Sequence, residues 1–123
     1  LGPGHHILAS LGRVSDPLAW LVVVDDDHQY DPHLVEILLR AAVSHPGSAI
    51  GAQGFLTVPG RDPTKYPSFV TDNGYAAGPV LASYLGNLYR RYMFDGRVLM
   101  PEQVGKDCRL HDDMWFSAHL QQK

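Results

Sequence analysis

The chain holds a single cysteine, Cys108, in 123 residues. An internal disulfide is therefore excluded, as is a cysteine-rich zinc site, and the thiol reads as buried or incidental. Basic blocks are missing too. With 10 Lys and Arg against 13 Asp and Glu the formal net charge is −3, which argues against nucleic acid as the main partner. No apolar run approaches the length needed to cross a bilayer, so membrane association is not visible in this segment. Internal repeats and low-complexity tracts are absent as well. The first residues lack the basic-then-apolar pattern of a signal peptide. The chain ends at Gln121-Gln122-Lys123, directly after a helical pattern. Neither end has the look of a natural domain boundary, so the expectation is one partial domain over 1–123, truncated on both sides, whose compartment cannot be read.

What is present is a globular composition, 45% hydrophobic and 19% charged, sufficient for one compact domain around one modest core. The most informative segment is Leu21-Val22-Val23-Val24-Asp25-Asp26-Asp27. Its apolar run predicts a strand from Trp20 to Val24 buried on both faces, the pattern of a parallel sheet covered by helices. The aspartates mark the carboxyl end of that strand, the edge where open α/β sheets bind ligands. Three adjacent carboxylates repel one another unless a cation or hydrogen-bond donors offset their charge. Oxygen ligands without a nearby thiolate favour Mg²⁺ or Mn²⁺ over Zn²⁺. A plainer alternative is a strand end with two solvated aspartates and one helix cap.

Around this segment the punctuation is clear. A short helix is predicted from His5 to Leu11, stopped by Gly12, with a turn at Ser15-Asp16-Pro17. Asp31-Pro32 supplies the N-cap and first-position residues of a second helix. Leu34, Ile37, Leu38, Ala41 and Ala42 recur along it at helical spacing, and His45-Pro46-Gly47 ends it. Ala49 to Val58 reads as a strand, weakened by Gly51 and Gly54. The proline-rich stretch from Pro59 to Asn73 reads as a long irregular loop. Val80 to Phe94 is aromatic and β-prone, with Gly86-Asn87 as a bulge or hairpin turn, and Asp95-Gly96 is a further turn. His111-Asp112-Asp113 opens a final helix.

The pairing of Val24-Asp25-Asp26-Asp27 with His111-Asp112-Asp113-Met114-Trp115-Phe116-Ser117 resembles the GT-A glycosyltransferases, whose strand-end DxD motif is followed by an xED-type motif opening a later helix. Tyr30-Asp31-Pro32 and the glycine-aromatic stretch Leu85-Gly86-Asn87-Leu88-Tyr89-Arg90-Arg91 extend the likeness over nearly the whole chain. The resemblance implies an α/β fold of the GT-A, Rossmann-like kind, a mixed sheet flanked by helices. It also implies sugar transfer from a nucleotide-sugar donor to a hydroxyl acceptor, assisted by Mn²⁺ or Mg²⁺. Carried over residue by residue, Asp25 approaches the ribose and shares the metal, Asp27 holds the metal, and Asp26 assists or caps the turn. If the reaction inverts, Asp113 is the general base and Asp112 binds the acceptor; the plainer alternative for both is capping of the helix N-terminus and complementing its dipole. Separately from the resemblance, Arg90 or Arg91 could meet a diphosphate, at most one of them because neighbours in a strand point to opposite faces, and Arg90 is taken as the candidate.

The chain departs from that family in three places. Only 24 residues precede Asp25, too few for the strand and loop that begin the family's nucleotide pocket. The late histidine that completes the metal site in many members falls beyond Lys123, and His119 is not assigned to that role. Asn87 stands where a second glycine is expected. Among the 7 histidines no HExxH or HxH pattern occurs, and His5, His6 and His45 read as surface residues. Trp115 and Phe116 read as core.

Two other functions fit parts of the pattern. A response-regulator receiver domain also places an acidic cluster after an apolar strand and binds Mg²⁺. It needs a second strand ending in Asp, for which Asp72 is the candidate, and a strand-end Lys that neither Lys65 nor Lys106 supplies. A non-catalytic α/β interaction module is the other. A calcium loop through Asp25, Asp27, Gln29 and Glu36 fails because Tyr30 stands at the position that requires glycine and Pro32 falls inside the loop.

Overall fold

The computed structural model describes residues 5–55, 80–99 and 112–121, which form a small mixed α/β fold. In chain order these are α1 (His5–Leu11), β1 (Trp20–Val23), α2 (Leu34–Ser44), β2 (Ile50–Gly51), β3 (Gly54–Phe55), β4 (Val80–Leu81), β5 (Asn87–Arg90) and α3 (Asp112–Gln121). Short 3₁₀ turns occupy Ser83–Leu85, Arg91–Met93 and Gly96–Leu99. One sheet has the order β1-β5-β2 and is antiparallel; a second consists of β3 and β4. No described helix is long and apolar enough to cross a membrane. The chain divides into two compact units, Val22–Tyr89 and the pair of segments Leu1–Leu21 and Arg90–Lys123.

In the Val22–Tyr89 unit, α2 packs on β2. Leu38, Ala41 and Ala42 are buried and Leu34 and Ile37 half-buried, so the expected stripe is the inward face, while Val35 and Val43 look outward. The start of this helix differs from expectation. Regular helix begins at Leu34, with His33 at the cap position and no side-chain cap on it. Asp31 nevertheless makes the capping bond one turn earlier, its Oδ1 accepting the His33 N–H at 2.7 Å, while the Leu34 N–H reaches the Asp31 carbonyl at 3.0 Å. Pro32 therefore sits in a tight lead-in turn and not in the first helical turn. His45 ends the helix, and Gly47 follows with φ +80°.

Three strand expectations are corrected. The Trp20–Val24 run is not covered on both faces: Val23 is buried, but Val22 is 38% and Val24 45% exposed. An antiparallel sheet commonly leaves one face open to water, and no parallel pairing occurs among the described strands. Of the single strand expected over Ala49 to Val58, the described part to Phe55 holds two short strands in different sheets. The chain changes partner at Ala52-Gln53, where the Ala52 N–H donates to Gly86 O (3.2 Å) and Gln53 O accepts from Ala82 N–H (3.0 Å). Gly51 and Gly54 leave no side chains to lock one continuous ladder. Likewise Val80 to Phe94 is not one hairpin. β4 pairs with β3, β5 with β2, and Gly86 at φ +98° ends the intervening 3₁₀ turn.

The other unit is built on aromatic packing. Phe94 meets Phe116 edge-on (5.9 Å, 85°) and stacks on His119 (5.9 Å, 8°), with Ile7, Leu11, Met93, Val98 and Trp115 also buried. The assignment of Trp115 and Phe116 to core thus holds. The α1 helix and its stop at Gly12 are as predicted, the Gly12 N–H closing on Leu8 O at 3.3 Å. Backbone bonds from Arg91 N–H to Ala19 O and from Tyr92 N–H to Pro17 O, both 2.9 Å, tie the lead-in to β1 to the turn after β5. The loop expected from Pro59 to Asn73, Cys108, His111 and the receiver candidates Lys65, Asp72 and Lys106 lie outside the described residues.

Candidate functional site

β1 delivers the acidic motif to a loop. Val23 is the last strand residue, and beyond it Asp25 is half-buried while Asp26 and Asp27 are exposed. A strand end leaves backbone groups that need new partners. The Asp25 N–H finds one in the Tyr30 hydroxyl at 2.8 Å, and that hydroxyl donates in turn to the Tyr84 carbonyl at 2.8 Å. Tyr84, in the 3₁₀ turn before β5, donates its own hydroxyl to Gln53 Oε1. His28 lies against both rings, 5.1 Å from the Tyr30 centroid and 6.0 Å from that of Tyr84. The acidic loop is therefore pinned by a phenol to the turn that leads into β5. Next along the chain, the Asp31 carboxyl is held below the ordinary aspartate value, chiefly by the backbone N–H of His33 and further by the His33 ring.

The Val22–Tyr89 unit also contains a fully buried asparagine. Asn87 donates to Ala82 O (3.2 Å) and Gly86 O (3.1 Å) and accepts from the Tyr89 hydroxyl (2.9 Å) in the amide orientation that satisfies its surroundings. Its presence where a glycine was expected is thus a structural solution: one side chain serves two carbonyls at the turn before β5.

The second acidic motif also takes its predicted position. Asp112 is the first residue of α3 and Asp113, half-buried, lies in its first turn. His119, near the far end of the helix, is buried, and its Nε2 accepts the Asp95 N–H at 3.5 Å. The Asp25–Asp27 loop belongs to one compact unit and Asp112–Asp113 to the other.

Both arginines after Tyr89 have structural partners. The Arg90 guanidinium stands 3.4 Å from the centroid of the Trp20 ring and donates to Leu18 O. Arg91 donates to Val14 O (2.9 Å) and Phe94 O (2.8 Å). Arg90 thus faces a ring, and a diphosphate would have to compete with that stacking.

For a divalent metal, the donor chemistry at Asp25–Asp27 is suitable, since all three side chains offer hard carboxylate oxygens. Among the described residues no three His, Cys, Asp or Glu side chains gather around one point. Mg²⁺ does not require such a cage, because it is usually held by one or two carboxylates together with substrate phosphates and water. Asp25 and Asp27 supply carboxylates of the chemical type that such binding uses.

Tyr30, Tyr84, His28 and Gln53 were not singled out from sequence as parts of the site. Tyr30 had one signal, an aromatic ring inside the polar run Asp25 to Asp31, where burial is the usual reason for an aromatic. Tyr84 and Gln53 carry none, because their proximity depends on the change of sheet at Ala52-Gln53. In comparisons with protein-family models, curated proteins and solved structures, no match to this chain was found.

Proposed function

We propose that the chain is part of a GT-A-like glycosyltransferase catalytic domain that moves a sugar from a nucleotide-sugar donor to a hydroxyl acceptor. The observation that supports this reading best is the acidic loop leaving the end of β1, with Asp26 and Asp27 exposed and Asp25 tied back through Tyr30. A strand-end carboxylate group of this kind suits a diphosphate-bound cation, and a mixed α/β fold is a compatible setting.

In this reading Asp25 accepts a hydrogen bond from the donor ribose, and Asp25 and Asp27 hold Mn²⁺ or Mg²⁺. When bound, that ion supplies Lewis-acid stabilisation of the departing nucleoside diphosphate. Asp112 orients the acceptor. Asp113 takes the proton from the acceptor hydroxyl as the new glycosidic C–O bond forms and the bond to the phosphate oxygen breaks. The start of α3 favours the ionised form of Asp113 that a base requires.

The test is release of nucleoside diphosphate from a panel of nucleotide-sugars, with and without Mn²⁺ or Mg²⁺, by the full-length polypeptide containing these residues. Metal-dependent release from at least one donor, lost in Asp27→Asn, is the expected result. A folded protein that hydrolyses no donor, or an Asp27→Asn variant as active as the parent, would overturn the reading.

A further inference from the structure

We draw no further inference here: the strongest candidate, the outward face of α2 on which Val35 and Val43 are exposed beside the Glu36–Arg40 ion pair, is an unpartnered apolar face, and nothing in the structure shows what covers it.

Discussion

Gly51 and Asn87 face each other across the β2–β5 ladder, and a Cβ added to Gly51 would lie 2.5 Å from the Asn87 side-chain amide. Gly51→Ala forces either the amide or a strand to move, and overpacking of this kind costs about 1–3 kcal/mol. Asn87→Ala removes the donors to Ala82 O and Gly86 O in a fully buried place; Gly86 O keeps the Ala52 N–H, and the loss at Ala82 O costs about 1–3 kcal/mol. The double variant should be less destabilised than the sum of the two, by about 0.5–3 kcal/mol. Urea denaturation of the four proteins measures that coupling; strict additivity would mean that the amide does not set the limit at position 51.

Gly86→Ala should also destabilise, for two separate reasons. Its φ of +98° is unfavourable for any residue with a side chain, and the new Cβ would meet Leu34 Cδ2 at 2.9 Å. The expected loss is about 1–3 kcal/mol, on the scale of strained backbone plus crowding. Leu34→Ala in the same protein relieves the contact but not the φ. A double variant as stable as Leu34→Ala alone would show that the backbone conformation at Gly86 costs nothing.

Asp31 gives a pH signature with a defined sign. Its folded-state pKa is depressed, first by the His33 N–H that its carboxylate accepts. A depressed carboxylate contributes stability above its unfolded value and loses it as pH falls through the folded value. The Tm difference between the parent and Asp31→Ala should therefore be largest at neutral pH and shrink through the acid range below the ordinary aspartate value. The carboxylate is exposed, so the difference is small throughout. A Tm difference that grew on acidification would rule out this hydrogen bond as the source.

Arg90→Ala should change the intrinsic fluorescence of Trp20, because it strips a cation from 3.4 Å above the indole. Lost stacking and packing are expected to lower stability by about 0.5–2 kcal/mol. Unchanged emission and stability would place the guanidinium elsewhere in solution and leave it available to a phosphate.

For the proposed chemistry, Asp113→Asn in the full-length polypeptide should leave fold and donor binding nearly intact while transfer falls by roughly a hundredfold or more, the usual scale for a lost general base. Asp112→Asn should alter acceptor affinity more than turnover. Near-full transfer by Asp113→Asn points to another base or a retaining reaction. Unfolding of the same variant would instead make the start of α3 a structural requirement.

Local patterning determined much of this protein. The spacing of Leu34, Leu38, Ala41 and Ala42 sufficed to define the inward face of α2, and the step from Val24 to Asp25 marked where β1 ends, because charge cannot continue into a core. Gly12 and Gly47 act through bonds and torsions within a few residues of themselves, so their roles were legible too, whereas Asp31 caps a lead-in turn and not the helix start itself. Tertiary structure alone decided which strands meet. Val22-Val23-Val24 looks alike whether one face is covered or two, and the distinction rests on partners far away in sequence. The same dependence hid the site's architecture. Tyr30 reaches Tyr84, and Gly51 must be a glycine because Asn87 stands opposite; neither relation exists until the chain changes sheets at Ala52-Gln53. Short-range periodicity fixes elements and their faces, whereas the hydrogen bond that anchors Tyr30 to the Tyr84 carbonyl is made across 54 positions of sequence and appears only when the fold closes that distance.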